Sequence, residues 1–194
     1  IEVWQRYYRL FDSADNSSAS TQYMLSSRYD VTFEKLTGKN KSILNSMTPR
    51  IQYVYIPYEN QSDIPIFDTE LRDLSFHGFT QPNAYLGYDR IAAANEFRIS
   101  IDSTWFDIKH GTTPAQVRFG QIFRLDDNRI ADDSIASQGS SNLIHDATVQ
   151  VSSKVNLQKF VEWNPYKERI GRIQANLQYR HDTKKVFNIG YARH

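Results

Sequence analysis

At 194 residues, 40% of them hydrophobic and 13% aromatic, the chain is long enough for one domain, yet it holds no apolar run near the roughly 20 residues a membrane-spanning helix needs. Its 23 basic and 22 acidic residues leave a net charge of +1, with no basic run that would serve as a nucleic-acid footprint. The lack of cysteine excludes a thiol nucleophile, a thiolate metal site and an internal disulfide.

In chain order, residues 1–11 read as a first strand and 12–20 as its turn, followed by a strand at 22–36 and a turn at 38–42. Residues 51–58 form an aromatic strand with Tyr53, Tyr55 and Tyr58 at its mouth. The stretch 59–94 has neither helical nor alternating period, although 68–74 has room for a short helix. It keeps Ile64, Ile66, Phe67, Leu71, Phe76, Phe79, Tyr85, Leu86 and Tyr88, which is too apolar for a solvated linker and points to an ordered loop.

The clearest alternation is 95–105, with Phe97, Ile99, Ile101 and Trp105 on one face and Glu96, Arg98, Ser100, Asp102 and Thr104 on the other. A turn at 110–114, a strand at 116–125 and a long excursion at 126–145 follow. Strands at 147–155 and 157–163 precede a turn at 164–168. Residues 172–180 alternate again, with Ile173, Ala175, Leu177 and Tyr179 opposite Arg172, Gln174, Asn176, Gln178 and Arg180. A turn at 181–185 leads to a last strand at 186–192, and a chain that opens on Ile1 and stops just past that strand is expected to be a piece of a longer one. About nine strands and no long helix make an antiparallel all-β chain.

A two-faced sheet suits either a soluble sandwich or a membrane barrel. Segments of about 9 to 11 residues favour the barrel, as do aromatics gathered at strand ends: Tyr7, Tyr8 and Phe11; Tyr53, Tyr55 and Tyr58; Trp105 and Phe106; Trp163 and Tyr166. Short turns alternating loosely with long excursions match the periplasmic and external sides of such barrels. An Arg on the lipid face costs roughly 2 to 4 kcal/mol near the midplane, so the polar faces of these strands are expected to line the interior.

Four segments carry a family resemblance. TPRIQYVYIPYENQSDIPIFDT at 48–69, the gap-free run from Gly78 through Asn83, Tyr85, Gly87, Asp89 and Arg90 to Ile91, FGQIFRLDDNRI at 119–130 and NLQYRHDTKKVFNIGY at 176–191 together resemble the barrel domain of LptD-type lipopolysaccharide-assembly proteins. Phe79 and Thr80 depart from the usual Leu-Phe, and Ala84 from a common Arg. The resemblance covers about residues 45–192. It implies that the whole chain is part of one transmembrane antiparallel β-barrel of the outer membrane, here an internal arc with long extracellular loops. The periplasmic jellyroll and the first and last barrel strands, which form the family's lateral gate, are not recognised in it. The implied partners are lipopolysaccharide, a lipoprotein plug of the LptE type, outer-membrane lipid and, through the missing N-terminal domain, the periplasmic lipopolysaccharide-bridge proteins.

No catalytic constellation stands out. His77, His110, His145, His181 and His194 are dispersed, and neither an activated serine motif nor a phosphate-binding glycine loop occurs. The expectation is a protein without enzymatic activity, cofactor or metal. Asp126, Asp127, Asp132 and Asp133 either ligate a divalent cation or form a solvated loop with Arg129, the latter preferred. Arg98, Asp102, Arg172, Gln174, Asn176, Gln178 and Arg180 are the lumen-facing candidates, offering hydrogen bonds to passing sugars or forming cross-strand pairs that stiffen the wall. Asp63, Asn83, Asp89 and Arg90 are the loop candidates, with Asp89 and Arg90 read as a hinge or plug contact or as an ion pair with Asp63, Asp68 or Asp73. The leading function is a share in a translocon that inserts lipopolysaccharide into the outer leaflet, its polar lumen passing the saccharide. The alternatives are a complete small barrel acting as an adhesin or passive pore, and a soluble glycan-binding sandwich.

Overall fold

A computed structural model of the chain describes residues 2–9, 17–72, 75–87, 89–125, 140–182 and 185–193. Their elements are β1 (Glu2–Arg9), β2 (Ser17–Asp30), β3 (Phe33–Thr37), β4 (Ile43–Ile56), β5 (Glu70–Leu71), α1 (Phe76–Thr80), β6 (Tyr85–Leu86), β7 (Ala94–Asp107), β8 (Thr112–Arg124), β9 (Leu143–Ser152), β10 (Val155–Asn164), β11 (Arg169–Arg180) and β12 (Val186–Arg193). The main antiparallel sheet runs β1-β2-β4-β7-β8-β9-β10-β11-β12, with β3 also paired to β4. Apart from the β2–β4 step, where β3 also pairs with β4, and the β4–β7 step, which spans the long excursion, neighbours in space are neighbours in sequence, which is a meander. No helix among the described residues is long and apolar enough to cross a membrane.

The segment expected as one strand at 22–36 is two, interrupted at Val31 and Thr32. Opposite the break lies Pro49, which has no N–H to give the ladder. Val31 N–H donates to the Pro49 carbonyl at 3.3 Å and the Thr32 and Thr48 hydroxyls meet at 2.9 Å, so the pairing resumes at Phe33 and Met47. β4 starts at Ile43, eight residues before the aromatic run that announces it.

The described part of the excursion after β4 is ordered, as its apolar content requires, with its short helix at 76–80, whereas residues 70–71 of the expected 68–74 helix are extended. Ser75 fixes the start, its Oγ accepting the Gly78 N–H at 3.0 Å. Residues 70–71 instead pair with 85–86 as a small hairpin.

Two compact units can be distinguished: Ile1–Arg28, Gln52–Arg98 and Ile122–Ser140 form one; Tyr29–Ile51, Ile99–Gln121 and Ser141–His194 form the other. The first has an apolar core of Met24, Val54 and Ile56 from β2 and β4, with Ile91 of the loop and Ala94 of β7. The second is built on the β8 to β12 ladder, whose register is regular except for irregularities at Val155/Asn156 and Glu162/Trp163.

Polarity in β7 is inverted relative to a water-soluble sheet. Glu96 and Arg98 are 3% and 5% exposed, whereas Ile99 between them and Ser100 is 46% exposed. The same parity exposes Tyr23 and Leu25 in β2, Ile51 and Tyr55 in β4, and Phe119 and Phe123 in β8. Apolar area left outside and charge taken inside is unfavourable in water by the sign of both transfer terms.

Candidate functional site

The long loop is held down by amides and one carboxylate. Asp89, 4% exposed, accepts the N–H groups of Phe67 and Asp68, each at 2.7 Å. Gly87, with φ +73°, packs its backbone directly against the Asp68 carbonyl beside these donors. Asn83 acts as a second clasp: its Oδ1 accepts from Tyr85 and Ala92 N–H at 3.2 and 3.1 Å, and its Nδ2 donates to the Arg90 carbonyl at 3.1 Å. Asn83, Asp89 and Arg90 are thus brought together. Asp63 is not, standing on an exposed turn where it accepts from Ser62 Oγ at 3.3 Å. The Arg90 guanidinium donates to the Asp89 carbonyl at 3.3 Å. Tyr88, Asp73, Leu74 and the Asp126, Asp127, Arg129, Asp132 and Asp133 cluster lie outside the described residues, as do the side chains of Tyr7, Tyr8 and Phe11.

Three side chains secure the loop, Gln61 by closing it on itself and Gln22 and Arg98 by tying it to β2 and β7, and local sequence gives no sign of two of them. Gln61 makes a two-way amide pair with Ile91, Nε2 to its carbonyl at 2.8 Å and Oε1 from its N–H at 3.0 Å. Gln22 of β2, fully buried, donates toward the Pro57 and Ile91 carbonyls at 3.4 and 3.5 Å. The third is Arg98 of β7. Its guanidinium pairs with Glu96 at 2.6 Å and donates to the carbonyls of Phe79 at 2.9 Å, Pro82 at 3.1 Å and Gln81. A planar fork suits this task, since one group reaches several acceptors in fixed directions. Arg98 therefore holds the end of α1 against β7.

Asp89→Ala removes an ionised acceptor from two N–H groups. The expected loss is about 3 kcal/mol of local stability, read as accelerated proteolysis within residues 62–72. Unchanged protection would show that the bend stands without its carboxylate.

The second unit carries a polar ladder across its strands. Asp102 of β7 accepts both Gln116 Nε2 contacts at 3.1 Å and Thr104 Oγ1 at 3.1 Å. Arg118 of β8 reaches Asp146 of β9 with Nε at 2.9 Å. Glu162 of β10 takes Asn142 Nδ2 at 2.6 Å, and its other oxygen is 3.6 Å from Arg172 Nε of β11, whose guanidinium also lies 4.7 Å from the Phe160 ring centroid. Gln178 donates to Asn188 of β12 at 3.2 Å. In register, Gln174 lies beside Phe160, Asn176 beside Gln158, and Gln178 beside Asn156, all on this face. Arg180 ends the row next to Val186. The opposite face of the same strands carries Val149, Leu157, Leu177 and Ile189 in one row. Paired polar groups stiffen such a wall while keeping one face wettable.

No group of three or more His, Asp or Glu side chains able to hold a metal occurs among the described residues. Fold and site together define an all-β protein of antiparallel strands with one polar and one apolar face, and a clasped loop tied to β2 and β7. The family described as LPS transport system D, LptD, matches residues 3–194, and the chain belongs to that family. It is similar to the LPS-assembly protein LptD of Francisella tularensis subsp. tularensis (strain FSC 198), 26% identical over 98% of this chain and 24% of the relative. Similar also are the LPS-assembly proteins LptD of Xylella fastidiosa (strain 9a5c) and Aromatoleum aromaticum, each 29% identical over 78% of this chain and 19% of the relative. The chain thus spans about a fifth to a quarter of the length of these relatives.

Proposed function

We propose that the chain is an arc of the wall of an outer-membrane β-barrel that assembles and inserts lipopolysaccharide into the outer leaflet. The observation that carries this reading is the inverted polarity of the sheet: buried Glu96 and Arg98 against exposed Ile99, and a paired polar ladder backed by rows of exposed aliphatic side chains. In this reading the apolar face meets lipid and the polar face lines an aqueous lumen that passes the saccharide, while the acyl chains leave through a lateral gate formed by strands outside this arc. The process is a conduit without covalent chemistry. Strands of 10 to 14 residues are long enough for tilted crossings.

The clasped loop, closed on itself through Gln61 and bound to its strands through Gln22 and Arg98, caps the lumen and braces a lipoprotein plug of the LptE type. The periplasmic bridge proteins dock on an N-terminal domain beyond this segment. The small complete barrel has no observation in its favour, and the exposed apolar rows oppose a soluble sandwich.

Single cysteines placed in turn at 173–178 in the full-length protein test the assignment of faces, since this segment has no cysteine of its own. A water-soluble maleimide is expected to label 174, 176 and 178, and a lipid-soluble one 173, 175 and 177. Equal labelling of both sets by the water-soluble reagent would refute a membrane wall.

A further inference from the structure

Higher in the polar ladder the arginines are matched by carboxylates, but at its short-turn end the cations are not, among the described residues. There a cavity of about 220 Å³ opens between the β9–β10 turn and the end of β11, lined among others by Thr148, Gln150, Lys154, Asn156, Gln178 and Arg180. Thr148, Gln150, Asn156 and Gln178 share the polar face with Asp146 and Glu162 by strand register. The Arg180 N–H donates to the Lys154 carbonyl at 2.7 Å, which fixes the two cationic residues beside each other. Higher on the wall, Arg118 is matched by Asp146 and Arg172 by Glu162. No carboxylate lines the cavity, and neither Lys154 nor Arg180 has a carboxylate partner among the described residues. The side-chain amides of Gln150 and Asn156 likewise make no hydrogen bond there.

We propose that this cavity is a subsite for a single sugar unit bearing a phosphate or carboxylate. The inference rests on the conduit reading above and gives that conduit a defined first stop on the short-turn side. Size and donor set both point this way. The volume falls below the roughly 300 to 1,000 Å³ of sites for drug-sized ligands, so one ring fits and an oligosaccharide does not. Two cations supply charge-assisted hydrogen bonds to the acid group, and the amides with the Thr148 hydroxyl match the donor and acceptor character of ring hydroxyls. Open geometry keeps the binding weak, as a transit path requires.

The test places a photo-crosslinking residue at 156, in the cavity, or at 174, higher on the same face, in the full-length protein in cells. Each is made with and without Lys154→Glu and Arg180→Glu, with the gel mobility of the folded barrel as the control for folding. The probe is lipopolysaccharide, either native or with its saccharide stripped of phosphate and carboxylate groups while the lipid phosphates remain. The lipopolysaccharide adduct at 156 is expected to fall about tenfold on charge reversal and about tenfold with the stripped saccharide, as loss of charge-assisted hydrogen bonds implies. The adduct at 174 should persist. An adduct at 174 with none at 156, or one at 156 indifferent to charge reversal, overturns the subsite and leaves the conduit standing. Sensitivity to charge reversal without sensitivity to the stripped saccharide assigns the cations to lipid phosphate and overturns the sugar. Adducts at neither position overturn the conduit itself.

Discussion

Arg98→Ala is expected to release the loop from β7 and to be the most damaging single change in the segment. The substitution removes four acceptors' partner at once and strands Glu96, 3% exposed, with Arg124 at 4.0 Å as a more distant cation. Breaking a buried pair by deleting one member costs about 3 to 5 kcal/mol when the remaining charge stays buried, and Arg124 offsets only part of that at its longer distance. If opening is fast relative to cleavage, proteolysis within residues 75–82 of the folded full-length protein should accelerate by a hundredfold or more, roughly. Arg98→Lys keeps the charge but not the fork, so it should recover only part of the protection. The double change Glu96→Gln with Arg98→Met should be milder than Arg98→Ala alone, since no buried charge is then left over. A loop as protected in Arg98→Ala as in the native protein would mean that Gln22 and Gln61 suffice to hold it.

The second large effect is expected at Gly87→Ala. A Cβ there would lie 2.2 Å from the Asp68 carbonyl oxygen and 2.8 Å from its carbon, both backbone atoms that cannot swing aside. The left-handed conformation at φ +73° adds roughly 1 to 2 kcal/mol for any L side chain. Overpacking of this kind adds about 1 to 3 kcal/mol more. Gly111→Ala provides the comparison: its φ is +64° and nothing lies within 4 Å of the added carbon, so it should cost only the conformational part. Cleavage at 62–72 is therefore expected to rise far more in Gly87→Ala than Gly111→Ala raises cleavage at its own turn. Equal, small effects would show that the Asp68 bend moves freely. The consequence reaches Asp89, whose two N–H donors are presented by that bend.

Where alternation is strict, the elements were legible with little else. Residues 95–105 and 172–180 fall within β7 and β11, because each side chain's face follows from its parity. β9 begins four residues before the strand expected at 147–155. Its opening residues, with His145 and Asp146, look like loop until Arg118 on the neighbouring strand supplies the carboxylate's partner. β4 begins eight residues before the strand expected at 51–58, and β3 with the Val31–Pro49 bond shows how the ladder accommodates Pro49.

Of the candidate site, Asn83, Asp89 and Arg90 were visible in the motif, whereas Gln22 and Gln61 were not. Their partners stand 69 and 30 residues away in sequence, and a lone glutamine carries no local pattern. Arg98 was visible as a polar residue on a polar face, but its engagement with three loop carbonyls was not.

The sequence by itself determined an all-β chain of two-faced strands, an ordered apolar loop and the family likeness, since these depend on the order of side chains along a backbone of fixed period. Only the tertiary structure decided which face is buried, which polar groups are paired and which remain open to a ligand. Those properties depend on what lies across the ladder from each residue, and register between strands is set by long-range pairing that a single strand's pattern does not contain.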